Sequence, residues 1–186
     1  ATACVLQKRL GLSIGCAAMD IGLGCSGFVY GLQTAASLMA SSDMEYALVL
    51  IGETASKLVN PLDKSIVMMY GDAGAAILLK REEGTSMKTL LKSDGNRFKA
   101  IVLPAGGFRD MNPSDETFMC SDGIERSLYD IFMDGTSVFS FSITDVPETV
   151  KEYLSLTESA IEEYDCLAFH QANRFILKQI TRKLKA

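Results

Sequence analysis

The sequence predicts an α/β protein, and three observations point there. The apolar run Cys16–Ile21 is followed by a glycine-dense stretch, then by apolar residues at helical spacing, then by a second apolar run, Tyr46–Ile51. A strand, a helix and a strand of these lengths make a βαβ unit, which favours a parallel sheet. Strand-like runs recur later in the chain beside a second long helical pattern. The 186 residues, 48% hydrophobic and 22% charged, suffice for one core or two small packed lobes.

The elements follow in order. Ala3, Leu6 and Leu10 predict a short helix ending at Gly11. Cys16–Ile21 reads as a buried strand with Cys16 inside it, and Gly22–Gly27 as a turn. Apolar positions 28, 29, 32, 35, 36 and 39 predict a helix over Ser26–Ala40. Tyr46–Ile51, bounded by Gly52, is the next buried strand. Thr54–Asp63 is irregular, punctuated by Pro61. Ser65–Met69 and Ala73–Lys80 read as strands on either side of Gly71-Asp72, and Thr89–Lys92 starts another before a turn at Ser93–Asn96. Ala105–Asp122, with two glycines and Pro113, is expected to be a long loop. Val138–Leu154 reads as a helix that Pro147 should kink or restart. Leu167–Phe169 is expected as a short strand, and Asn173–Lys185 as the last helix. Charge and Gly84 interrupt the pattern at Glu82–Ser86, the expected boundary between lobes 1–84 and 85–186.

Composition excludes several functions. A net charge of −5 gives no basic field for nucleic acid. Apolar runs such as Ala47–Ile51 fall far short of the roughly 20 residues of a membrane helix, and the first dozen residues lack a secretory apolar region. Five cysteines without a C-x-x-C pair, and one histidine, argue against a disulfide framework or a metal site and fit a reducing cytoplasm. The chain opens without Met and closes inside a helical pattern, so it is expected to be a piece of a longer protein.

Two segments carry chemistry. Asp20-Ile-Gly-Leu-Gly-Cys-Ser-Gly-Phe28 contains Gly22-x-Gly24-x-x-Gly27 at a strand-to-helix turn, with Glu53 at the end of the next strand. That matches the dinucleotide fingerprint and its ribose-binding acid. The same segment places Cys25 at a helix N-terminus, where unpaired N–H groups and the helix dipole favour a thiolate nucleophile. A structural cysteine is the third reading. In Phe169-His-Gln-Ala-Asn173, His170 ends a short strand and Asn173 opens the last helix. This fits a ligand site at a sheet edge, or equally a structural histidine beside an N-capping asparagine. One reactive cysteine with a distant histidine is a recognised catalytic pattern, and the combination points toward acyl transfer.

The two segments together resemble the condensing enzymes of the thiolase superfamily, and specifically the 3-oxoacyl-acyl-carrier-protein synthase III family. Asp20–Leu32 is similar to that family's cysteine segment, Tyr70–Ala76 (YGDAGAA) to its glycine-rich strand, and Phe169–Asn173 to its histidine motif. The resemblance covers nearly the whole chain and is weakest over 104–125. It implies a thiolase-like fold of two similar α/β halves in α-β-α-β-α layers, incomplete at both ends, and a homodimer. It implies that Cys25 accepts an acyl group from acyl-CoA. His170 would then stabilise the enolate formed when malonyl-acyl-carrier-protein loses CO2, with no cofactor. Asn173, Phe139 and Lys64 fall where the family contacts CoA and its pantetheine arm. An ordinary core role serves Phe139 equally well, and lysine at position 64 replaces a stacking arginine. The family's asparagine catalyst and oxyanion loop lie beyond residue 186. Its arginine after the histidine motif is Phe175 here, with Arg174 one position earlier. Arg174, Lys178, Arg182 and Lys185 form a basic stripe at helical spacing, which fits either an acidic carrier protein or a solvated helix face. Two rival readings stand beside this one: a nicotinamide-dependent oxidoreductase, and an inactive ketosynthase-like subunit.

Overall fold

A computed structural model describes residues 1–120 and 122–186. The chain divides into two compact units, one of residues Ala1–Ile51 with Ala75–Met87, the other of Gly52–Gly74 with Lys88–Ala186.

The first unit begins with α1 (Thr2–Arg9), followed by α2 (Gly27–Ala40). Helix α1 lacks a side-chain cap at Ala1, but Asp20 Oδ1 accepts from the Ala3 N–H at 2.7 Å. A carboxylate there offsets the helix's positive end. Gly11, with φ of +67°, turns the chain after α1. The Gln7 amide holds the following loop by donating to the Leu12 and Ser13 carbonyls at 3.2 and 2.9 Å. Strand β1 (Tyr46–Thr54) pairs with β2 (Asp72–Lys80). The Arg81 N–H donates to the Glu45 carbonyl, so the end of β2 lies at the start of β1 and the pair is antiparallel. Helix α2 comes so close to β1 that a Cβ on Gly31 would lie 3.2 Å from Val49 Cγ1. Gly31 and Met39 are the buried residues of this unit.

The second unit holds a segmented core. Ile101–Val102 (β3) and Phe132–Met133 (β6) pair antiparallel, as do Thr117–Met119 (β4) and Glu125–Ser127 (β5). Helix α3 (Gly135–Thr157) starts at Asp134, whose carboxylate accepts from the Thr136 and Ser137 N–H groups at 3.0 and 3.2 Å. Helix α4 (Arg174–Leu184) starts at Asn173, whose Oδ1 accepts from the Ile176 N–H at 2.8 Å. Ile176, Ile180 and Leu184, spaced four apart, make the buried stripe of α4. Phe139, Val146 and Val150 of α3 pack against them, with Ile161, Phe169 and Ala172.

The helices and the β1–β2 ribbon follow the sequence pattern, while four expected strands do not form. Cys16–Ile21, Thr89–Lys92 and Leu167–Phe169 hold no strand. A strand exists by ladder pairing, and these segments belong to none of the sheets among the described residues. Cys16, expected inside, is exposed. Ser65–Met69 is a helical turn, because Asp63 captures the Ser65 N–H with its side chain and the Val67 N–H with its carbonyl, at 3.0 and 2.9 Å. No parallel pair occurs among the described residues; the turn after Thr54 returns β2 beside β1. The expected loop at 105–122 contains β4. Pro147 neither ends nor restarts α3. Its ring is fully buried, and that packing offsets one absent backbone hydrogen bond.

Candidate active site

Cys25 lies in the turn that feeds α2, closed by the Gly27 N–H donating to the Gly24 carbonyl at 2.8 Å. The cysteine is exposed. Ser26 is the N-cap residue, yet its hydroxyl makes no capping bond. Helices α3 and α4, by contrast, have their first N–H groups taken up by Asp134 and Asn173. Unpaired N–H groups at a helix start attract negative charge. At the α2 terminus beside Cys25 the Gly27 N–H is taken by the Gly24 carbonyl, and the side chain of the N-cap residue accepts from none of the N–H groups that follow. The dinucleotide fingerprint loses its context here. No strand leads into Gly22, and β1, which carries the exposed Glu53, pairs antiparallel with β2. The fingerprint needs a parallel βαβ unit to aim the pyrophosphate at the helix.

His170 is exposed in the segment before α4, and its carbonyl accepts from the Ala172 N–H at 3.0 Å. The structure brings three expected residues of the second unit into one neighbourhood. Asn173 caps α4 immediately after the histidine motif. Phe139 packs against the same cluster as Phe169 and Ala172, which flank His170 and Gln171. Its ring stacks on Phe175, with centroids 5.6 Å apart and an interplanar angle of 16°. Phe175 thus has a packing role at the position where the family resemblance implies an arginine. Asn173 spends Oδ1 on the cap, which leaves its Nδ2 amide as the group to offer a ligand. Arg174, Lys178, Arg182 and Lys185 are all exposed along or just past α4.

Lys64 stands apart from this cluster, exposed on the turn around residues 60–69. Beside it lies a network that sequence reasoning missed. Asp63 is 0% exposed and paired with Arg126, itself 2% exposed. Arg126 Nη2 and Nε lie 2.6 and 2.8 Å from Asp63 Oδ2. The same guanidinium reaches both oxygens of Asp122, at 2.8 and 3.1 Å, and lies 5.7 Å over the Phe132 ring. Asp63 also accepts from the Ser65 hydroxyl and N–H. Burial pushes the Asp63 carboxyl up, but the Ser65 and Arg126 hydrogen bonds outweigh it and hold its pKa below the ordinary value. Arg126 is correspondingly held in its charged form, chiefly by Asp122. The separation of 63 residues hid this pair; the available hint was an arginine amid an otherwise acidic and apolar stretch.

Among the described residues no group of histidine, cysteine, aspartate or glutamate is arranged to hold a metal. Nor, among the described residues, is any helix long and apolar enough to cross a membrane.

Comparisons with known proteins agree with one another. The profile of 3-oxoacyl-[acyl-carrier-protein] synthase III matches residues 19–95. A β-ketoacyl-[acyl-carrier-protein] synthase III of Caldanaerobacter subterraneus subsp. tengcongensis is 37% identical over 99% of the chain, which spans 54% of that relative. The chain therefore spans about half the length of the curated relatives it matches. A crystal structure of a 3-oxoacyl-(acyl-carrier-protein) synthase III superposes with a TM-score of 0.94 at 34% identity, covering 99% of this chain and 56% of that one. A 3-oxoacyl-(acyl-carrier protein) synthase of Burkholderia xenovorans LB400 follows with a TM-score of 0.84 at 33% identity, over 100% of this chain and 52% of the other. These matches carry the name of a condensing enzyme; they support neither the oxidoreductase nor the inactive-subunit reading.

Proposed function

From a chain that is similar along its whole length to 3-oxoacyl-[acyl-carrier-protein] synthase III and has a thiolase-like fold, we propose that the full-length protein performs decarboxylative Claisen condensation. An acyl-CoA primes it, malonyl-acyl-carrier-protein extends it, and the product opens fatty acid synthesis or a related lipid or polyketide route. In this reading residues 1–84 belong to the half that carries the nucleophile, and 85–186 to the half that carries the histidine.

The chemistry divides into two steps. The Cys25 thiolate attacks the acyl-CoA carbonyl, a Cys–acyl thioester forms, and the bond between the acyl carbon and the CoA sulfur breaks, releasing CoA as a thiolate that takes up a proton. Malonyl-carrier-protein then loses CO2. The electron pair left on its α-carbon attacks the acyl-cysteine carbonyl, and the Cys25 thiolate departs. No electrons enter or leave, so the reaction as written consumes no redox cofactor. The supporting observation is the place of Cys25 at the N-terminus of α2, where the Ser26 side chain makes no capping bond and the helix dipole favours negative charge near Cys25. His170 serves as the donor that stabilises the enolate oxygen. Asn173 offers its amide, Phe139 an apolar wall, and Lys64 a charge to the CoA. The exposed basic stripe of α4 suits an acidic carrier protein. A homodimer working in the cytoplasm completes the proposal.

Intact-protein mass spectrometry of the full-length protein with short acyl-CoAs tests it. An added acyl mass is expected, and it should vanish in Cys25→Ala. His170→Ala should still acquire the acyl mass but yield no condensation product. An adduct that survives Cys25→Ala, or no adduct with any donor in the folded protein, overturns the reading.

A further inference from the structure

The buried ion pair of the second unit lies next to the one proposed CoA contact that is far from the histidine motif in sequence. Lys64 follows Asp63 directly, and both its neighbours are anchored. Asp63 is wholly buried, with its carboxylate on Arg126 and on the Ser65 N–H and hydroxyl. Ile66 is 1% exposed, and the Ile66 and Val67 N–H groups donate to the Asp63 carbonyl at 3.2 and 2.9 Å. The flank is held as well. Asn60 Nδ2 donates to the Glu125 carbonyl at 3.0 Å, and the Ile131 N–H to the Leu58 carbonyl at 2.8 Å. The backbone of Lys64 is thus gripped from both sides while its side chain is exposed.

A solvated turn has no need of a buried carboxylate. Placing one there leaves a charge that must be paired, and an unpaired one is severely unfavourable. Arg126 meets that need from a segment 63 residues away and is itself clamped by Asp122. A fork-shaped guanidinium fixes direction as well as charge. We infer that Arg126, acting through Asp63 and Ser65, is a positioning residue that holds the Lys64 turn in the geometry that receives the phosphate-bearing end of CoA. This inference rests on the assignment of Lys64 as a CoA contact. It goes further in naming what orients that lysine.

The probe is free CoA, titrated calorimetrically into the full-length protein, alongside steady-state kinetics with acetyl-CoA. Lys64→Met should weaken CoA binding. Arg126→Met should weaken it about tenfold while kcat at saturating acetyl-CoA changes less than about twofold, the mark of lost positioning rather than lost chemistry. The double variant should bind no more weakly than the weaker single one, because both changes remove the same contact. Arg126→Lys should recover part of the affinity. Should Arg126→Met fail to fold, Ser65→Ala removes one anchor of Asp63 while leaving the ion pair. It should weaken CoA binding about threefold, and only when Lys64 is present. If Lys64→Met weakens binding while folded Arg126→Met or Ser65→Ala does not, or if the effects multiply, the positioning role is wrong. If Lys64→Met leaves CoA affinity unchanged, the lysine assignment itself fails and the positioning role falls with it.

Discussion

The two units are held together by different means. In the first, Gly31 and Met39 are the buried residues, and side-chain contacts of Asp20 and Gln7, one and two hydrogen bonds respectively, tie the loop after α1. Ile14, Ile21 and Leu23 along that loop are exposed. In the second, α4 buries three aliphatic residues against α3, and a charged network joins the turn around residue 63 to residues 122–131. The contrast separates two kinds of stabilisation. One side carries the proposed nucleophile on a helix entrance with few constraints. The other carries the proposed CoA contacts and histidine on elements fixed by capping, aromatic stacking and ion pairing.

The sharpest way to break this comparison is Arg126→Met in the full-length protein. It strands a fully buried carboxylate, and removing one partner of such a pair costs about 3–5 kcal/mol. Chemical denaturation should show the loss. A cost below about 1 kcal/mol, the level of a surface pair, would mean that the network does not hold the second unit. Next in size is Ile180→Ala, expected to cost about 3 kcal/mol by opening a cavity between α3 and α4. Met39→Ala should cost about 2 kcal/mol, the low end for such changes, because a thinly packed site collapses more readily. An equal or reversed order would remove the claimed difference in packing.

Acid offers a third, smaller probe. The native pKa of Asp63 is depressed, so its contribution is present above the ordinary carboxylate range, near pH 4. It is lost as pH falls through the native value. Stability should therefore decline progressively below about pH 4. Asp63→Asn should be less stable at neutral pH and show a shallower acid decline. An unchanged acid slope in that variant would assign the decline to other carboxylates.

How much of this was legible in the sequence depended on how local the cause was. Both ends of α2, the start of α4 at Asn173 and the β1–β2 ribbon follow from apolar spacing and capping chemistry within a few residues. The cysteine segment and histidine motif were legible as short strings of residues, which is why the family resemblance surfaced. The strands expected at Cys16–Ile21, Thr89–Lys92 and Leu167–Phe169 depend on a neighbour to pair with, and no run of residues reports its own partner. Ser65–Met69 failed for a different reason. Its apolar run ahead of Gly71-Asp72 suggested a strand, but Asp63 competes for the backbone and winds it into a turn. The Asp63–Arg126 pair was out of reach for the same reason as the strands: it joins segments that only the fold brings together.

The smallest expected effect bears most directly on the proposed chemistry. Asn173 and Ser26 are both N-cap residues, one in each unit, yet only Asn173 makes the capping bond. Asn173→Ala should therefore cost about 1 kcal/mol of stability. Ser26→Ala should cost less than about 0.5 kcal/mol, the level of a surface change, since no bond is lost. The same Ser26→Ala protein should acquire the acyl mass at close to the parent rate, because the Ser26 hydroxyl takes up none of the N–H groups of the first turn. If Ser26→Ala instead costs as much as Asn173→Ala, the serine hydroxyl does cap α2. The N–H groups proposed to favour the Cys25 thiolate would then be spoken for, and the thiolate would need another source of stabilisation.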